Sequence, residues 1–533
     1  MSALTEQERA EVASVIAEHI DTLTAIPNFV TAEPGFAIVD GAIVKEPAIV
    51  VFVSRVLAPT ELLEEERAPS QLGPYRVAVM QADPLRQLAV GRERLELPGF
   101  TPLEAAALTY QPIDGDPINE VFEVEEPLLC HVGPDAGWRT VLKPFIEETQ
   151  RSLTVAMYDY NADYISKTFI ETVRANNVNV TMTLDDSLAQ DEKDIWAKHG
   201  TKLGDAFDGW IVRCSPNRRF ESAYHPKVAV RDSSSFWLSS GNWSRNSQAD
   251  NDPIGDESAR TGMYKKNREW HVIVDHEGLA QLFEQYITHD RDGSEAEETL
   301  EAAFLDKVAY PDLFVEIDEL ADVSLLAEEE EIGPFEPERL PTHGQAFEIE
   351  PVLTPDNYIA KVHELIKGAE QSVHMQFSYI NYSDEEGDEP YTEVLNTLAE
   401  LSNTPGFEMR IIVASRATAI TQVHDLVSKA GFKDLTLFKS QSAIHNKGII
   451  VDGRSVLVSS ANWSTDGALR NRDAGLIIHD PEVTGYFEKV FDFDWNHRAN
   501  DIVVDNRAIM LAPEGALAPP GMVRVSWHEY YDG

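Results

Sequence analysis

The sequence predicts an α/β fold made of two similar halves, preceded by a small separate α/β unit. Three observations carry this reading. The chain has 533 residues, too long for one ordinary core and suited to roughly three domains. The stretch 222–244, SAYHPKVAVRDSSSFWLSSGNWS, is rewritten at 442–464 as SAIHNKGIIVDGRSVLVSSANWS. Upstream of each copy, 133–160 and 354–380 show the same alternation of amphipathic helix and β-rich run. Such alternation places helices against a sheet, and its repetition makes two units.

The elements follow in chain order. Residues 1–125 read as a small accessory α/β unit. A helix over about Glu6 to Ala25 precedes GFAIVDGAIVKEPAIVVFVSR, whose two apolar stretches flank a tight turn at Asp40-Gly41, and a strand follows from Tyr75 to Met80. Apolar runs on either side of Asp-Gly are a hairpin signal. Residues 126–290 and 351–512 hold the repeat. Each copy opens on a Pro-Asp helix start and runs through an amphipathic helix into a strand. A helix and a second strand, VNVTMTLDD or FEMRIIVAS, then precede the motif strand. Residues 291–350 form an acidic connection that includes Glu328 to Glu331, partly helical and then extended by its prolines. Residues 513–533 are a tail punctuated by Pro and Gly with an aromatic end, free to pack on the body, with nothing that points to chemistry.

Composition narrows the function classes. With 43% hydrophobic residues, 30 Gly and 29 Pro, the chain reads as globular rather than fibrous or disordered. No stretch approaches the ~20 apolar residues of a membrane span. The start, MSALTEQERAEVASVIAEHI, is acidic and amphipathic and lacks the basic and apolar parts of an export signal. A cytoplasmic location without a membrane anchor is therefore expected. The formal charge is −47. Such a surface repels polyanions at long range and disfavours nonspecific DNA binding over the whole body. It serves solubility or a salty habitat, and a local basic cleft stays compatible with it. Cys130 and Cys214 stand far apart and outside any CxxC pattern, which reads as two buried free thiols.

The chemistry sits in the repeated block. His225 and Lys227 are two apart, Asp232 lies five beyond the lysine, and Ser240 and Asn242 close the block. His445, Lys447, Asp452, Ser460 and Asn462 repeat it, with 17 residues from His to Asn in both copies. On a strand, residues two apart share a face, so each His and Lys project together. Ser and Asn share the parity of a second strand end. Each Asp falls at an odd offset, at a turn, where it is expected to brace the local structure. Two such halves face to face give two imidazoles across a pocket of ammonium, hydroxyl and amide donors. That set suits a tetrahedral phosphate: lysines neutralise charge, amides and hydroxyls donate, one histidine attacks phosphorus and the other protonates the leaving oxygen.

HPKVAVRD…SSGNWS and HNKGIIVD…SSANWS resemble the duplicated H-x-K-x4-D-x6-G-S-x-N signature of the phospholipase D superfamily, over about residues 130–500. The resemblance implies two pseudo-symmetric phospholipase D-like α/β sandwich domains sharing one active site, a covalent phosphohistidine, and no required metal or other cofactor. It implies His225 and His445 as nucleophile and general acid, with His225 favoured for the attack. Lys227, Lys447, Asn242 and Asn462 would hold the nonbridging oxygens. The acids of the NRE and NRD triplets, Glu269 and Asp473, would orient a histidine through its other ring nitrogen. Two departures stand out. Ser239 and Ser459 replace the signature's glycine, and Pro226 removes a backbone donor, so its strand is expected to be unpaired there or edge-like. The halves also differ in length: 25 residues separate Asn from the triplet in the first copy and 9 in the second. The sixteen extra residues fall in a polar loop expected either to shape access or to reach into solvent.

Family members include phospholipases, phosphatidyltransferases and nucleases, so mechanism transfers better than substrate. The leading expectation is hydrolysis of a phospholipid head-group phosphodiester, with peripheral membrane contact. Trp237, Trp243, Trp270 and Trp463 would then form an apolar rim, unless they are core. The alternative substrate is nucleic acid, with the cations of RNRDAG, NRRF and YKKNRE as a basic track. The charge of −47 counts against it, and against anionic lipid surfaces as well. The lack of membrane spans disfavours a phosphatidyltransferase, and two complete motifs disfavour a binding module without turnover. Oligomeric state is not legible in these patterns.

Overall fold

A computed structural model describes residues 3–39, 41–58, 60–94, 110–215, 218–298, 310–317, 334–503, 507–513 and 515–532. Asp40 of the expected turn and Glu328 to Glu331 of the acidic connection lie outside the described residues. In the N-terminal unit the expected single helix is two, Glu6–Glu18 and Ile20–Thr24, because His19 leaves the helical region between them. Thr5 and Glu8 close a reciprocal capping box at its start. Strands Phe29–Val39 and Ala42–Val53 pair antiparallel, Tyr75–Gln81 runs parallel to the second, and helix Pro84–Arg94 follows.

The first half contains β1 (Leu128–Gly133), β2 (Ser152–Met157), α1 (Asp163–Asn176), β3 (Asn179–Asp185), β4 (Phe207–Val212), β5 (Val228–Arg231), β6 (Ser235–Ser239), β7 (Glu269–Asp275) and α2 (Glu277–Glu298). The second half repeats the series. It contains β8 (Phe347–Thr354), α3 (Tyr358–Lys367), β9 (Ser372–Phe377), α4 (Glu389–Ser402), β10 (Glu408–Ala414), β11 (Phe438–Gln441), β12 (Lys447–Val451), β13 (Ser455–Ser459), β14 (Asp473–His479) and α5 (Pro481–Phe493). The strand orders correspond position by position: β1-β7-β6-β5-β2-β3-β4 and β8-β14-β13-β12-β9-β10-β11. Within the two repeated sheets, the parallel ladders are β2-β3-β4 and β9-β10-β11, the strands joined through helices. Strands from outside extend each sheet. Glu338–Leu340, from the connection, pairs with β1, and Phe122–Val124, before the expected boundary at 125, pairs with β8.

Two helix ends show why the halves fold locally as they do. α1 stops at Asn177, which takes the left-handed conformation at φ 56°. α5 starts at Pro481, where Asp480 accepts the N–H groups of Glu482 and Val483. The sheets are buried on both faces. Val228, Val230, Trp270 and Val272 of the first sheet and Ile450, Val456 and Leu476 of the second join one core with residues of α2 and α5. Leu153, Val155 and Ala229 face the other way, into a separate core with α1. Gly448 admits the Trp270 ring, which meets Phe487 at 4.9 Å, and any Cβ there would overlap it.

The strand is unpaired at Pro226, as one of the two expectations had it, and the other, an edge strand, is corrected. β5 and β12 are central strands, each hydrogen-bonded on both sides. Pro226 does not make its strand an edge, because it precedes the first ladder residue, Val228, and the ladder needs no N–H from it. The tail does pack on the body. Ile509–Leu511 and Met522–Val525 flank Leu313–Glu316 in a three-stranded sheet, and helix Trp527–Asp532 buries Tyr530 and Tyr531. Cys130 and Cys214 are buried free thiols. Among the described residues, no helix is long and apolar enough to cross a membrane.

Candidate active site

The two motif blocks meet through the ends of β5 and β12. Tyr224, just before His225, bridges to Arg472 of the second half, and Ile444, just before His445, bridges to Arg268 of the first. The histidines therefore sit where the halves touch, and both are buried, at 2% and 1% exposure. Each imidazole is held by the acid of the opposite half. His225 Nδ1 lies 2.7 Å from Asp473 Oδ1, and His445 Nδ1 lies 2.9 Å from Glu269 Oε1. A carboxylate on Nδ1 turns Nε2 into the reactive nitrogen. This crossing makes each half incomplete without the other.

Electrostatics at the second histidine are well defined. Burial and the Lys447 charge hold the His445 imidazole down to about 4, against the pull of Glu269. It is neutral near pH 7, with Nδ1–H donated to Glu269 and Nε2 accepting from Lys447 Nζ at 2.8 Å. Burial would raise Glu269, but His445, Lys447 and Ser240 hold it down to about 2. Each lysine folds back onto the carbonyl of its own histidine, at 2.9 Å for Lys227 and 2.7 Å for Lys447.

The serines act otherwise than expected. Their hydroxyls are not among the groups that line the cleft: Ser240 donates to Glu269 at 2.6 Å and Ser460 to Asp473 at 2.6 Å. Each also accepts a backbone N–H, from Trp270 or Ala474, so it locks the acid that holds the opposite histidine. Ser239 and Ser459, in place of glycine, accept the N–H groups of Gly241 and Ala461 and so fold the turn beneath. The residue after each locking serine fits its acid. A Cβ on Gly241 would lie 2.5 Å from the Glu269 carboxyl carbon, whereas Ala461 stands in the matching place above Asp473, one methylene shorter. Asp232 and Asp452 both take φ 54° at the turns after β5 and β12. Their carboxylates accept the N–H groups of Gln150, Arg151 and Ser152, and of Glu370, Gln371 and Ser372. Asn242 and Asn462 are buried, and Asn462 faces the cleft.

A cleft of about 710 Å3 opens onto His225. Its walls come from both halves and from three segments beyond them: Arg86 and Leu88 of the N-terminal unit, Tyr310 and Asp312 of the connection, and Trp527 and Tyr531 of the tail. No local pattern in the sequence signals these contributions, since they arise from packing between distant segments. The carboxylates on the walls (Glu33, Asp83, Asp312, Asp384, Glu385, Asp388, Asp425 and Asp466) outnumber the cations Arg86, Lys429 and Arg470. Of the cations expected to form a basic track, Arg470 alone is among these lining residues. Arg268 and Arg472 are fully buried in ion pairs, Arg470 pairs with Asp388, and Lys265 and Lys266 lie away from the cleft. The four tryptophans near the motifs are all core, at 0–2% exposure. The long loop of the first half neither lines the cleft nor simply reaches into solvent, because Met263 and Tyr264 pack against Phe493. Among the described residues, no group of three or more His, Cys, Asp or Glu side chains is arranged to hold a metal ion.

The family model for the cardiolipin synthase, phospholipase D-like domain matches residues 142–291 and 362–495, more than half of the chain. The chain belongs to the phospholipase D superfamily. The two matched stretches contain both motif blocks, so the superfamily fold is present as two α/β domains in one chain. A mitochondrial cardiolipin hydrolase of Chlamydomonas reinhardtii is 29% identical over 106 residues, 20% of this chain and 46% of that protein. The match thus spans about half the length of this curated relative. Among solved structures, phosphatidylserine synthase of Haemophilus influenzae aligns at 12% identity over 72% of this chain and 89% of its own, with a TM-score of 0.46. Nuc of Salmonella typhimurium, a phospholipase D family member, aligns at 18% identity over 29% of this chain and 97% of its own, with a TM-score of 0.23.

Proposed function

We propose that this phospholipase D superfamily protein is a phosphodiesterase that releases the head group of a phospholipid through a phosphohistidine intermediate. The observation that carries the proposal is the crossed pairing of His225 with Asp473 and of His445 with Glu269 where the two halves meet, with His225 opening onto the cleft. His225, which lines the cleft beside Asn462, attacks phosphorus through Nε2. His445 protonates the departing alcohol. Burial and the Lys447 charge keep this imidazole neutral, and a bound phosphodiester anion offsets the second of these and so favours its protonation. Lys227, Lys447, Asn242 and Asn462 hold the nonbridging oxygens as charge builds on them. Water, deprotonated by His445, then cleaves the phosphohistidine and frees His225.

The acidic cleft walls favour a phospholipid over a nucleic acid, because a polyanion would bring many phosphates against like charge. One feature favours the nuclease reading: Tyr158, Tyr379 and Trp527 on the walls could stack bases. A paired assay decides between the two. Phosphatidylcholine in mixed micelles and single-stranded DNA are offered to one preparation, both with chelator. Head-group release without DNA cleavage is expected, together with an acid-labile phosphatidyl group on the peptide containing His225. DNA cleavage without head-group release would establish the nuclease reading. Full turnover by His225→Ala or His445→Ala would sink the shared-site mechanism.

A further inference from the structure

The arginines of the two Asn-Arg-acid triplets are buried and bound in the same way. Arg268 is fully buried, and its guanidinium reaches Asp494 of the second half at 2.9 and 3.1 Å, Gly133 O at 2.9 Å and Asp135. Arg472, 1% exposed, reaches Asp290 of the first half at 2.7 and 2.8 Å and Thr354 O at 3.2 Å. Asp290 and Asp494 each lie 22 residues after the arginine of their own half, so the repeat encodes both partners. The arginine backbones grip the histidines directly. His225 N–H donates to Arg472 O at 2.7 Å, and His445 N–H donates to Arg268 O at 3.2 Å. The next residue in each case is the carboxylate on that same imidazole. One dipeptide of the opposite half thus holds each histidine at both backbone and ring.

We propose that Arg268 and Arg472 are positioning residues for the reaction. Their crossed ion pairs with Asp494 and Asp290 fix the two dipeptides that set the orientation of the histidines across the shared site. This rests on the proposed roles of His225 and His445. A buried ion pair is weak evidence for stability, because desolvation offsets the attraction and a well-packed apolar pair often serves as well. What an apolar pair lacks is the bidentate geometry that fixes direction. The arrangement occurs twice, on equivalent residues, which makes a chance pair on one side an insufficient account.

The test separates position from stability. Arg472→Met/Asp290→Leu replaces one pair by apolar groups, and Arg472→Lys and Arg268→Lys keep the charge without the fork. We expect the double variant to melt near the wild-type temperature while kcat for phosphatidylcholine falls about 100-fold with KM little changed, the scale of a small displacement of a reacting group. Recovery of kcat together with melting temperature would overturn the proposal. A second readout needs no turnover: carbethoxylation of each histidine by diethyl pyrocarbonate, followed by peptide mass spectrometry. Arg472→Lys should change the rate at His225 severalfold and leave His445 alone, and Arg268→Lys should do the converse. Equal changes at both histidines, or none, would overturn it. Should the wild type release no head group, the proposed function fails, and the labelling arm still decides the clamp.

Discussion

At the scale of single residues, the two halves solve one steric problem in two ways. Glu269 needs Gly241 beneath it, while the shorter Asp473 tolerates Ala461. Gly241→Ala alone should push the Glu269 carboxylate off His445. Glu269→Asp alone should leave it a methylene short of the ring. Each change is expected to lower kcat by about 100-fold with KM little moved, since a misplaced orienting acid weakens the transition state more than the ground state. The double variant copies the arrangement of the second half. Its kcat should lie well above the product of the two losses, a coupling of at least about 1 kcal/mol in a double-mutant cycle. Losses that simply multiply would show that the fit between residue 241 and residue 269 is incidental.

At the scale of elements, the α/β layout of each half was legible because both copies carry the same alternation of helix and strand, whereas the order of the strands in each sheet and the central place of the motif strands came only with the structure. The bracing aspartates were legible as well: an odd offset from the histidine placed Asp232 and Asp452 in turns. The crossing of acids and histidines was not, because spacing inside one copy is silent about which half an acid will face. Nor was the part played by helix Trp527–Asp532 in the cleft, since its aromatic residues carry no pattern apart from that of a core. The turn braces lead to a prediction. Asp232→Ala removes an acceptor from three N–H groups and leaves a residue with a Cβ at φ 54°. A loss of about 1–3 kcal/mol in unfolding free energy is expected, read from the shift of the denaturant midpoint. Asp452→Ala should cost a similar amount. Asp232→Asn should cost less, because Asn tolerates the left-handed region and keeps one acceptor. Equal losses for Ala and Asn would mean that neither the left-handed backbone nor the retained acceptor contributes at this turn.

At the scale of the whole molecule, acidification sets two effects against each other. The chain carries 91 Asp and Glu against 44 Lys and Arg. Protonating surface carboxylates relieves self-repulsion and favours the folded state, an effect that salt screens over about 8 Å at 0.15 M. The buried histidines act in the opposite sense. Burial holds His199, His271 and His445 down to about 4, the last also through Lys447. An unfolded histidine titrates near 6.5, so each of these groups contributes stability above that pH and loses it as the pH falls through its folded value. The slope reaches about 1.4 kcal/mol per pH unit for each group, so three together outweigh a screened surface term. In 0.5 M salt, the denaturant midpoint is expected to fall steadily between pH 6.5 and pH 4.5. At low salt the fall should be blunted, because relief of repulsion then offsets part of it. A midpoint that stays level or rises over this range at high salt would show that the buried imidazoles take up protons without resisting them.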